Sequence, residues 1–263
     1  MSLCTDIVDV CSQPKLAISL GCDPELFVYK DGNPISCHEF VPGTKDAPYK
    51  LSQGAIQRDG AALEFNIDPA YSKEQFTDNI LRTLHDIRSM VPKEFEFRFK
   101  PAITFEPWYF DMLPEKVKEL GCNPDFNAYT QLINPPPDTG PHPYLRTASG
   151  HIHVGWGVSV EKDDPSHFLD CCSVVPELDA AYATIKHRID SDTTRQSLYG
   201  KLGAFRPTTF GVEHRVPSCA WVEYPRLYEY MFDLYSTAML RVQGDKQPYP
   251  VLTDWHLEQK WIN

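Results

Sequence analysis

Polar side chains recur two residues apart in several segments that otherwise have the composition of β-strands. Residues two apart on a strand share one face of the sheet. Each segment is flanked by apolar or glycine residues, so it can present one face to a core and the other to a ligand. The pairs are Asp23 and Glu25, Glu64 and Asn66, His151 and His153, and Glu213 and Arg215, with Gln57 and Asp59 as a fifth, weaker pair. The chain is therefore expected to form a sheet with one functional face.

The remaining periodicities place further strands and several helices. Strands are predicted over 16–20, 25–29, 61–67, 94–100, 152–158 and 210–216. Helices are predicted over 72–91, 114–120, 165–188 with a break at Pro176, and 225–242. Adjacent strand signals with separate helices favour the α+β class with a largely antiparallel sheet. We expect that sheet to carry an active-site face, with the helices packed on its other side.

Composition limits the function classes and the compartment. The 263 residues include 25 Lys and Arg against 36 Asp and Glu, a formal net charge of −11. This balance argues against a general nucleic-acid binder or a protein of anionic membranes, but it leaves room for a small anionic ligand. Neither a signal peptide nor a membrane helix is predicted. The eight cysteines contain no C-x-x-C pair, so we expect reduced thiols in the cytoplasm, with Cys219 a buried filler rather than a nucleophile.

The polar pairs have the chemistry of a metal and anion site. A single pair is more typical of a solvated strand face. The joint pattern is different, because it gathers carboxylates, imidazoles and a guanidinium rather than Lys, Thr and Ser. Four or five carboxylates with few histidines favour Mg²⁺, with Mn²⁺ also suitable, over Zn²⁺. A zinc hydrolase built on His151 and His153 is the less favoured hypothesis, since the spacing of the other histidines indicates no third ligand.

Several cations lie in loops where a backbone can approach phosphate. These are Lys45 after Gly43, Arg146 before the His151 segment, Lys201 after Gly200, and Arg206 after Gly203. Each one alone is more typical of a solvated turn. Neither a P-loop nor a dinucleotide-binding glycine motif is present in the sequence.

Seven blocks of the chain together resemble the phage carboxylate–amine ligase (amidoligase) type 2 family. They span roughly residues 16–222, in order. They are Gly21-Cys-Asp-Pro-Glu25, Pro42-Gly-Thr-Lys45, Gln57-Arg-Asp-Gly-Ala-Ala-Leu-Glu-Phe-Asn66, Gly121-Cys-Asn-Pro-Asp-Phe126, Arg146-Thr-Ala-Ser-Gly-His-Ile-His-Val-Gly155, Tyr199-Gly-Lys-Leu-Gly-Ala-Phe-Arg206 and Phe210-Gly-Val-Glu-His-Arg215. The family is similar to glutamine synthetase and glutamate–cysteine ligase. The resemblance implies a glutamine-synthetase-like catalytic core over 16–263, a short arm over 1–15, and binding of ATP with Mg²⁺.

The resemblance also implies a role for individual residues. Metal ligands would be Asp23, Glu25, Glu64, His151 and Glu213, with the choice between His151 and His153 left open. ATP would be bound by Lys45, Arg146, His153, Lys201 and Arg206. Catalytic roles would fall to Asp59, Arg206 and Arg215. His214 stands where the family pattern predicts an aromatic residue, but it points to the opposite face.

The implied reaction joins a carboxylate to an amine through an acyl phosphate made from ATP. Such a reaction needs metal ions to align the phosphates and a base, Asp59 or Asp23, to deprotonate the amine. The substrates would be small molecules or peptides, and assembly into an oligomer is compatible with the sequence. Three alternatives remain open: a phosphotransferase of related fold, a catalytically inactive binding module, and the His-x-His zinc hydrolase.

Overall fold

The computed structural model describes residues 17–119, 125–137, 140, 142–157 and 159–261 of the chain. The predicted arm over 1–15 therefore lies outside the described residues, as do Cys4, Cys11 and Cys122. Within the described ranges the strands are β1 (Ser19–Cys22), β2 (Glu25–Lys30), β3 (Asn33–Ile35), β4 (Tyr49–Lys50), β5 (Gly54–Asp59), β6 (Ala62–Ile67), β7 (Glu96–Arg98), β8 (Ala102–Thr104), β9 (Phe126–Asn127), β10 (Leu132–Ile133), β11 (Leu145–Thr147), β12 (Ile152–Gly155), β13 (Ala204–Thr208) and β14 (Gly211–His214).

Six α-helices accompany these strands in the described part of the chain. They are α1 (Lys73–Met90), α2 (Pro107–Asp111), α3 (Glu115–Lys118), α4 (Pro165–Ile189), α5 (Thr193–Leu198) and α6 (Leu227–Val242). Short 3-10 helices cover Cys37–Glu39, Cys219–Glu223 and Asp254–Leu257. The presence of both helices and strands, with every described strand pair antiparallel, confirms the expected α+β class.

The strands form two main sheets and a small ribbon rather than the single sheet predicted. The first sheet has the order β1-β12-β14-β13-β9-β10, and the second has the order β3-β2-β6-β5-β4 with β7 also paired to β2. The ribbon consists of β8 and β11. The chain passes from one sheet to the other between β1 and β2, because β1 is an edge strand of the first sheet and β2 lies inside the second.

Pro24 is the physical reason for this change of sheet. Proline has no N–H to donate to a ladder and disfavours continuation of a central strand. Before it, the Asp23 N–H donates to the carbonyl of His151 at 3.4 Å. The Pro24 carbonyl instead accepts from the N–H of Phe65 in β6, at 3.0 Å. The seam between the two sheets, defined here as residues 23–25 with their partners 149–151 and Phe65, therefore lies at the first polar pair of the sequence.

The helices pack on one side of the sheets. Helix α1 contacts β5 and β6 of the second sheet, α4 contacts β13 and β14 of the first, and α6 packs against both α1 and α4. The inward face of α1 carries Phe76, Ile80, Leu84 and Ile87, all fully buried. Ser72 caps this helix by accepting a hydrogen bond from the N–H of Gln75, as its sequence predicts. The side of the sheets away from these helices is left for the polar pairs.

Helix α4 corrects one prediction. It runs without interruption through Pro176, where the sequence predicts a break. Proline costs a helix interior about 3 kcal/mol or more because it lacks the N–H and its ring meets the preceding turn. Buried side chains on both sides of Pro176, Val175 and Leu178 among them, pack against the first sheet and α6. Tertiary packing on both sides of the proline keeps the two halves in one helix.

The described cysteines are free and buried, namely Cys22, Cys37, Cys171, Cys172 and Cys219. Burial raises the pKa of the Cys219 thiol well above its ordinary value. A thiol held in its protonated form is a poor nucleophile, which agrees with the predicted role of Cys219 as a core residue.

Candidate functional site

The first sheet aligns four of its residues in one row across adjacent strands. Gly21 of β1 pairs with His153 of β12, His153 with Glu213 of β14, and Glu213 with Arg206 of β13. Directly paired residues of antiparallel strands project on the same face. The register therefore brings an imidazole, a carboxylate and a guanidinium into contact, all on the face away from the helices.

The second sheet contributes a similar row of polar side chains to the site. Glu25 of β2 pairs with Glu64 of β6, and Glu64 pairs with Gln57 of β5. The Gln57 side-chain amide donates to Glu64 Oε2 at 2.8 Å. The N–H of Ser149 donates to Glu25 Oε2 at 2.9 Å across the seam. Both carboxylates are thus held in fixed orientations by neutral donors.

Asp23 lies at the seam and joins the two sets. Its Oδ1 is 3.3 Å from Nδ1 of His151, and its Oδ2 is 3.3 Å from Nε2 of His153. His151 Nδ1 is also 3.2 Å from Oε1 of Glu213. Ligand atoms of Asp23, His153 and Glu213 lie within 4.8 Å of one another, a spacing that can hold a metal ion. Glu25, Glu64 and His151 lie beside this group but outside it.

The geometry within the group leaves polar atoms without good partners. Asp23 Oδ1 and His153 Nε2 are buried and make no well-oriented hydrogen bond. Buried polar atoms are otherwise almost always satisfied in proteins. A metal ion between these atoms would satisfy them, and two carboxylates with an imidazole suit Mg²⁺, Mn²⁺ or Zn²⁺.

Two arginines bind the carboxylate of Glu213 from the other side. Arg206 donates to Glu213 Oε2 at 3.1 Å, and Arg215 donates to Glu213 Oε1. Arg215 also donates through its Nε to Oδ2 of Asp125 at 3.0 Å. The predicted catalytic arginines are therefore together, and each touches a predicted metal ligand.

The carboxylates nearest these cations are stabilised in their charged form. Burial alone would raise the pKa of Asp23, but His153 and His151 outweigh it and lower that pKa to about 2. Burial likewise opposes ionisation of Glu213, yet Arg215 and His151 hold its pKa well below the usual range. For His153 the effect of burial is outweighed by Asp23, and the imidazole pKa is raised. Charge on this half of the site is balanced within the protein.

The carboxylates of the second sheet are in the opposite situation. Burial and the nearby charge of Asp59 raise the pKa of Glu25 to about 7. Burial, with the charges of Asp23 and Asp59, raises the pKa of Glu64 well above its ordinary value. Like charges and desolvation both disfavour ionisation of carboxylates crowded in this way. The charge of Lys45 acts on both glutamates, but its ion pair is with Asp59. This half of the site therefore has an excess of negative charge that a bound cation would relieve.

Lys45 and Asp59 form an ion pair with each other. Lys45 Nζ is 2.9 Å from Asp59 Oδ1. Burial lowers the pKa of Lys45, but Asp59 outweighs that effect and the pKa rises. The predicted ATP contact and the predicted catalytic base are consequently partners in this structure, at the edge of the second sheet where β5 ends.

Arg146 binds main-chain carbonyls. Its buried guanidinium donates to the carbonyls of Pro143, Leu145 and Lys118 at 2.9, 2.6 and 2.5 Å, and lies 4.3 Å from the ring centroid of Phe110. These contacts tie the start of β11 to the end of α3. The residue borders the same small cavity as Glu25 and Asp59, so it lies near the site although its donors are directed at the backbone.

Lys201 lies further along the same face. It is exposed and lines a cavity of 150 Å³ together with Tyr199, Asp125 and the stiff run Pro135–Pro136–Pro137. Asp125 connects this cavity to Arg215 and so to Glu213. The structure thus places Lys201 at a neighbouring cavity and not in contact with Glu213.

Three residues of the site were not among the predicted site residues. Asp125 and Phe210 stand within two of the seven sequence blocks but had no predicted role, and Tyr71 is an isolated aromatic residue. Tyr71 and Phe210 border the acidic half of the site. Only the three-dimensional arrangement brings them to it. None of the described helices is long and apolar enough to cross a bilayer.

Comparison with known proteins adds no family assignment. No protein-family model matches the chain, and no curated protein matches it.

Proposed function

We propose that the protein is an ATP- and divalent-metal-dependent ligase that joins a carboxylate to an amine. The observation that carries this proposal is the position of Glu213. Together with Asp23 and His153, its carboxylate forms a group of ligand atoms spaced to hold a metal ion. It also binds Arg206 and Arg215. Metal ligands and phosphate-binding cations are needed side by side for phosphoryl transfer.

The residues present fit Mg²⁺ or Mn²⁺. Asp23, Glu213 and His153 would hold an ion, with the uncompensated carboxylates Glu25 and Glu64 available beside it. A bound divalent ion would neutralise phosphate charge and align ATP with the acceptor carboxylate. The excess of negative charge on the second sheet supports more than one cation at this face. The polar face opposite the helices also agrees with the expected glutamine-synthetase-like core, which is part of the proposal.

The chemistry proceeds in two transfers. An oxygen of the substrate carboxylate attacks the γ-phosphorus of ATP, the bond to the bridging oxygen breaks, and ADP leaves. The amine nitrogen then attacks the acyl carbon, the carbon–oxygen bond breaks, and inorganic phosphate leaves while the nitrogen loses a proton to a base. Arg206 and Arg215 can stabilise the charge on the transferring phosphoryl group, and one such donor contributes on the order of 3 kcal/mol.

Calorimetric titration with a non-hydrolysable ATP analogue and Mg²⁺ tests the proposal. Glu213→Gln and Glu64→Gln should each weaken binding of the analogue by about tenfold or more, since each removes an anionic ligand for the Mg²⁺ that accompanies the phosphates. Glu39→Gln is a matched control, because its side chain is 82% exposed and lies against His38 rather than a site residue. Unchanged affinity in both site variants would contradict the proposal.

Turnover separates the ligase from a phosphotransferase. A ligase releases ADP at full rate only when both a carboxylate and an amine are supplied, whereas a kinase needs a single acceptor. A mass-spectrometric screen of carboxylate and amine pairs for a condensed product, combined with an ADP assay, makes this distinction.

One observation favours a second candidate function. The compact metal group includes His153, and His151 lies 3.2 Å from Glu213. Imidazole ligands suit Zn²⁺, so a zinc-dependent hydrolase is the second candidate. Stoichiometric zinc in the purified protein, with no binding of the ATP analogue, would favour it over the ligase.

A further inference from the structure

Arg195 of α5 is a fully buried cation that has no role in the reaction proposed above. Its Nη1 donates to the carbonyl of Val216 at 3.0 Å. Its Nη2 lies 3.1 Å from the carbonyl oxygen of Pro217 and 3.3 Å from that of Arg215. These three carbonyls belong to the consecutive residues that follow β14. The guanidinium therefore holds the backbone of Arg215, whose own side chain binds Glu213.

The same guanidinium also reaches the segment that precedes β12. Its Nη2 donates to Oγ of Ser149 at 3.0 Å. The N–H of Ser149 donates to Oε2 of Glu25 at 2.9 Å, and the carbonyl of Ser149 accepts from the N–H of Glu25 at 2.8 Å. One buried side chain thus joins the backbone that carries Arg215 to the backbone that orients Glu25.

Gly200 leaves the space that this guanidinium occupies. Its φ of +68° lies in the left-handed region, which favours glycine over residues with a side chain. A Cβ at this position would overlap Nη1 of Arg195 and lie 2.9 Å from its Cζ. The loop after α5 therefore fits closely around the guanidinium, and the position of Arg195 is fixed by its surroundings as well as by its hydrogen bonds.

The hydrogen-bond partners of Arg195 are all neutral oxygens, although the residue is a buried cation. Among the described residues, its Nε has no acceptor. Burial lowers the pKa of the guanidinium, and Tyr182, Glu25 and Asp190 act in the opposite direction. A buried cation without a carboxylate in hydrogen-bond contact costs folding free energy. Proteins accept such local costs mainly at functional sites, which points to a role beyond packing.

We propose that Arg195 is a positioning residue that keeps Arg215 and Glu25 in the relative placement that a metal ion and a phosphate group need. Its donors go to the backbone after β14 and to Ser149, so it acts on the site through these neighbours. Arg215 lies on the first-sheet side of the site, and Glu25 lies on the second-sheet side. Without the guanidinium the two sides can shift against each other. The inference deepens the proposed ligase function and rests on it for the phosphate.

The variant Arg195→Lys tests the inference in the full chain, because it keeps the charge but replaces the planar five-donor group by a single ammonium. Calorimetry should show about tenfold weaker binding of the ATP analogue with Mg²⁺. Binding of Mn²⁺ alone, measured by electron paramagnetic resonance, should also weaken about tenfold. Arg188→Lys is the matched control, since Arg188 likewise joins two segments, through the carbonyl of Leu252 and the carboxylate of Asp254, and neither is a site residue.

The variant Ser149→Ala makes a smaller change and decides the question if Arg195→Lys does not fold. It removes one hydrogen bond to the guanidinium and leaves the N–H that donates to Glu25, so Mn²⁺ affinity should fall about threefold. Ser197→Ala is its control, because the Ser197 hydroxyl donates to the carbonyl of Thr194 within α5. Urea midpoints are measured in parallel. A lower midpoint with unchanged affinity for Mn²⁺ and the analogue, in every site variant that folds, would make Arg195 merely structural and overturn the inference.

The two ligands distinguish this inference from the proposed function. If the wild-type protein binds both Mn²⁺ and the analogue, and the site variants bind them equally well, the positioning inference fails while the ligase proposal stands. If the wild-type protein binds Mn²⁺ but not the analogue, and the site variants weaken Mn²⁺ binding, the ligase proposal fails while Arg195 remains a positioning residue of a metal site. A wild-type protein that binds neither ligand contradicts both.

Discussion

Strand β14 separates two polar clusters that differ in how completely their groups are paired. Glu213 projects to the candidate site, where it meets Arg206, Arg215 and His151. The next residue, His214, projects to the helix side and is fully buried. Its Nε2 lies 2.8 Å from Asp179 of α4, and its Nδ1 lies 2.7 Å from the hydroxyl of Tyr235 of α6. We call the group around His214 the rear cluster.

Every polar atom of the carboxylate in the rear cluster has a partner. Asp179 Oδ1 accepts from His214, and Oδ2 accepts from the hydroxyl of Tyr129 at 2.9 Å and from the N–H of Gly203 at 2.7 Å. Because a carboxylate only accepts, the Nε2–H of His214 donates to Asp179, and Nδ1 of His214 is within hydrogen-bond distance of the Tyr235 hydroxyl. Burial raises the pKa of Tyr235 well above its ordinary value, so this hydroxyl remains a donor.

The contrast shows how a structural polar cluster differs from a site built for a ligand. The rear cluster has one carboxylate and a donor for each oxygen, so it needs nothing further. The candidate site has several carboxylates, buried atoms of Asp23 and His153 without good hydrogen bonds, and two glutamates whose pKa is raised. Groups left in this condition are stable only with a ligand or at a cost in folding free energy.

The largest expected effect is the loss of stability on removing the centre of the rear cluster. Asp179→Ala leaves His214, Tyr129 and the Gly203 N–H without their acceptor in the core. We expect the free energy of unfolding, measured by urea denaturation, to fall by about 3–5 kcal/mol. Asp179→Asn keeps an acceptor for His214 and should lose about half as much. A loss below that of Asp179→Asn would contradict the structural role of the cluster.

The stability of the metal-free protein should depend on pH through the glutamates of the second sheet. The pKa of Glu25 is about 7 in the folded chain and 4.5 for an ordinary glutamate, so the folded state binds the extra proton in that range. The raised pKa of His153 acts in the same direction. The free energy of unfolding should therefore be greatest below about pH 4.5 and fall by about 3 kcal/mol as the pH rises to about 7.

Two controls accompany this pH series. Glu25→Gln should flatten the loss, because the side chain no longer titrates. Added Mg²⁺ should restore stability at the high end of the range, since it binds the folded carboxylates. Stability that rises with pH in the metal-free protein would contradict the pKa assigned to Glu25.

Removing one charge from the site should stabilise the metal-free fold. Glu64→Gln keeps an oxygen that can accept from Gln57 but relieves the repulsion by Asp23 and Asp59. We expect its free energy of unfolding near pH 8 to rise by about 1 kcal/mol, while binding of the ATP analogue weakens. A destabilised Glu64→Gln protein would mean that the charge of Glu64 is balanced, as in the rear cluster.

The smallest expected effect is at the edge of the rear cluster. Tyr129 is 56% exposed, and its hydroxyl donates to Asp179. Tyr129→Phe leaves Asp179 with two other donors, so we expect a loss of about 0.5 kcal/mol in urea denaturation. Tyr49→Phe, at another exposed tyrosine, is the control. A loss as large as that of Asp179→Asn would show that the cluster depends on its outer donor.

Much of the candidate site follows from the sequence because strand periodicity fixes which side chains share a face. The pairing of His153 with Glu213 and of Glu25 with Glu64 needs only the correct register of segments whose polar faces were evident. The opposite orientation of His214 follows from the same alternation. Pro24, between Asp23 and Glu25, also indicates that the chain changes its strand partner there. The position of the second sheet, however, depends on pairings between strands that are distant in sequence.

Other features depend on packing that local sequence does not encode. The continuity of α4 through Pro176 depends on contacts with β13, β14 and α6. The orientation of Arg146 depends on the carbonyls of Pro143 and Leu145, close to it in the chain, and of Lys118 at the end of α3. The pairing of Lys45 with Asp59 depends on where the loop before β4 folds back. The rear cluster joins Tyr129, Asp179, His214 and Tyr235, which lie far apart in the chain and show no shared spacing.

The backbone hydrogen bonds of the seam between the two sheets determine how fast its amides exchange with solvent. The N–H of Glu25 donates to the carbonyl of Ser149, and the N–H of Phe65 donates to that of Pro24. Exchange of the Glu25 amide with solvent deuterium requires the strand before β12 to separate, whereas exchange at Phe65 requires β6 to separate. The exchange rates of the two amides therefore report separately on the opening of the two halves of the site. A ligand that bridges the two halves should slow exchange at both amides.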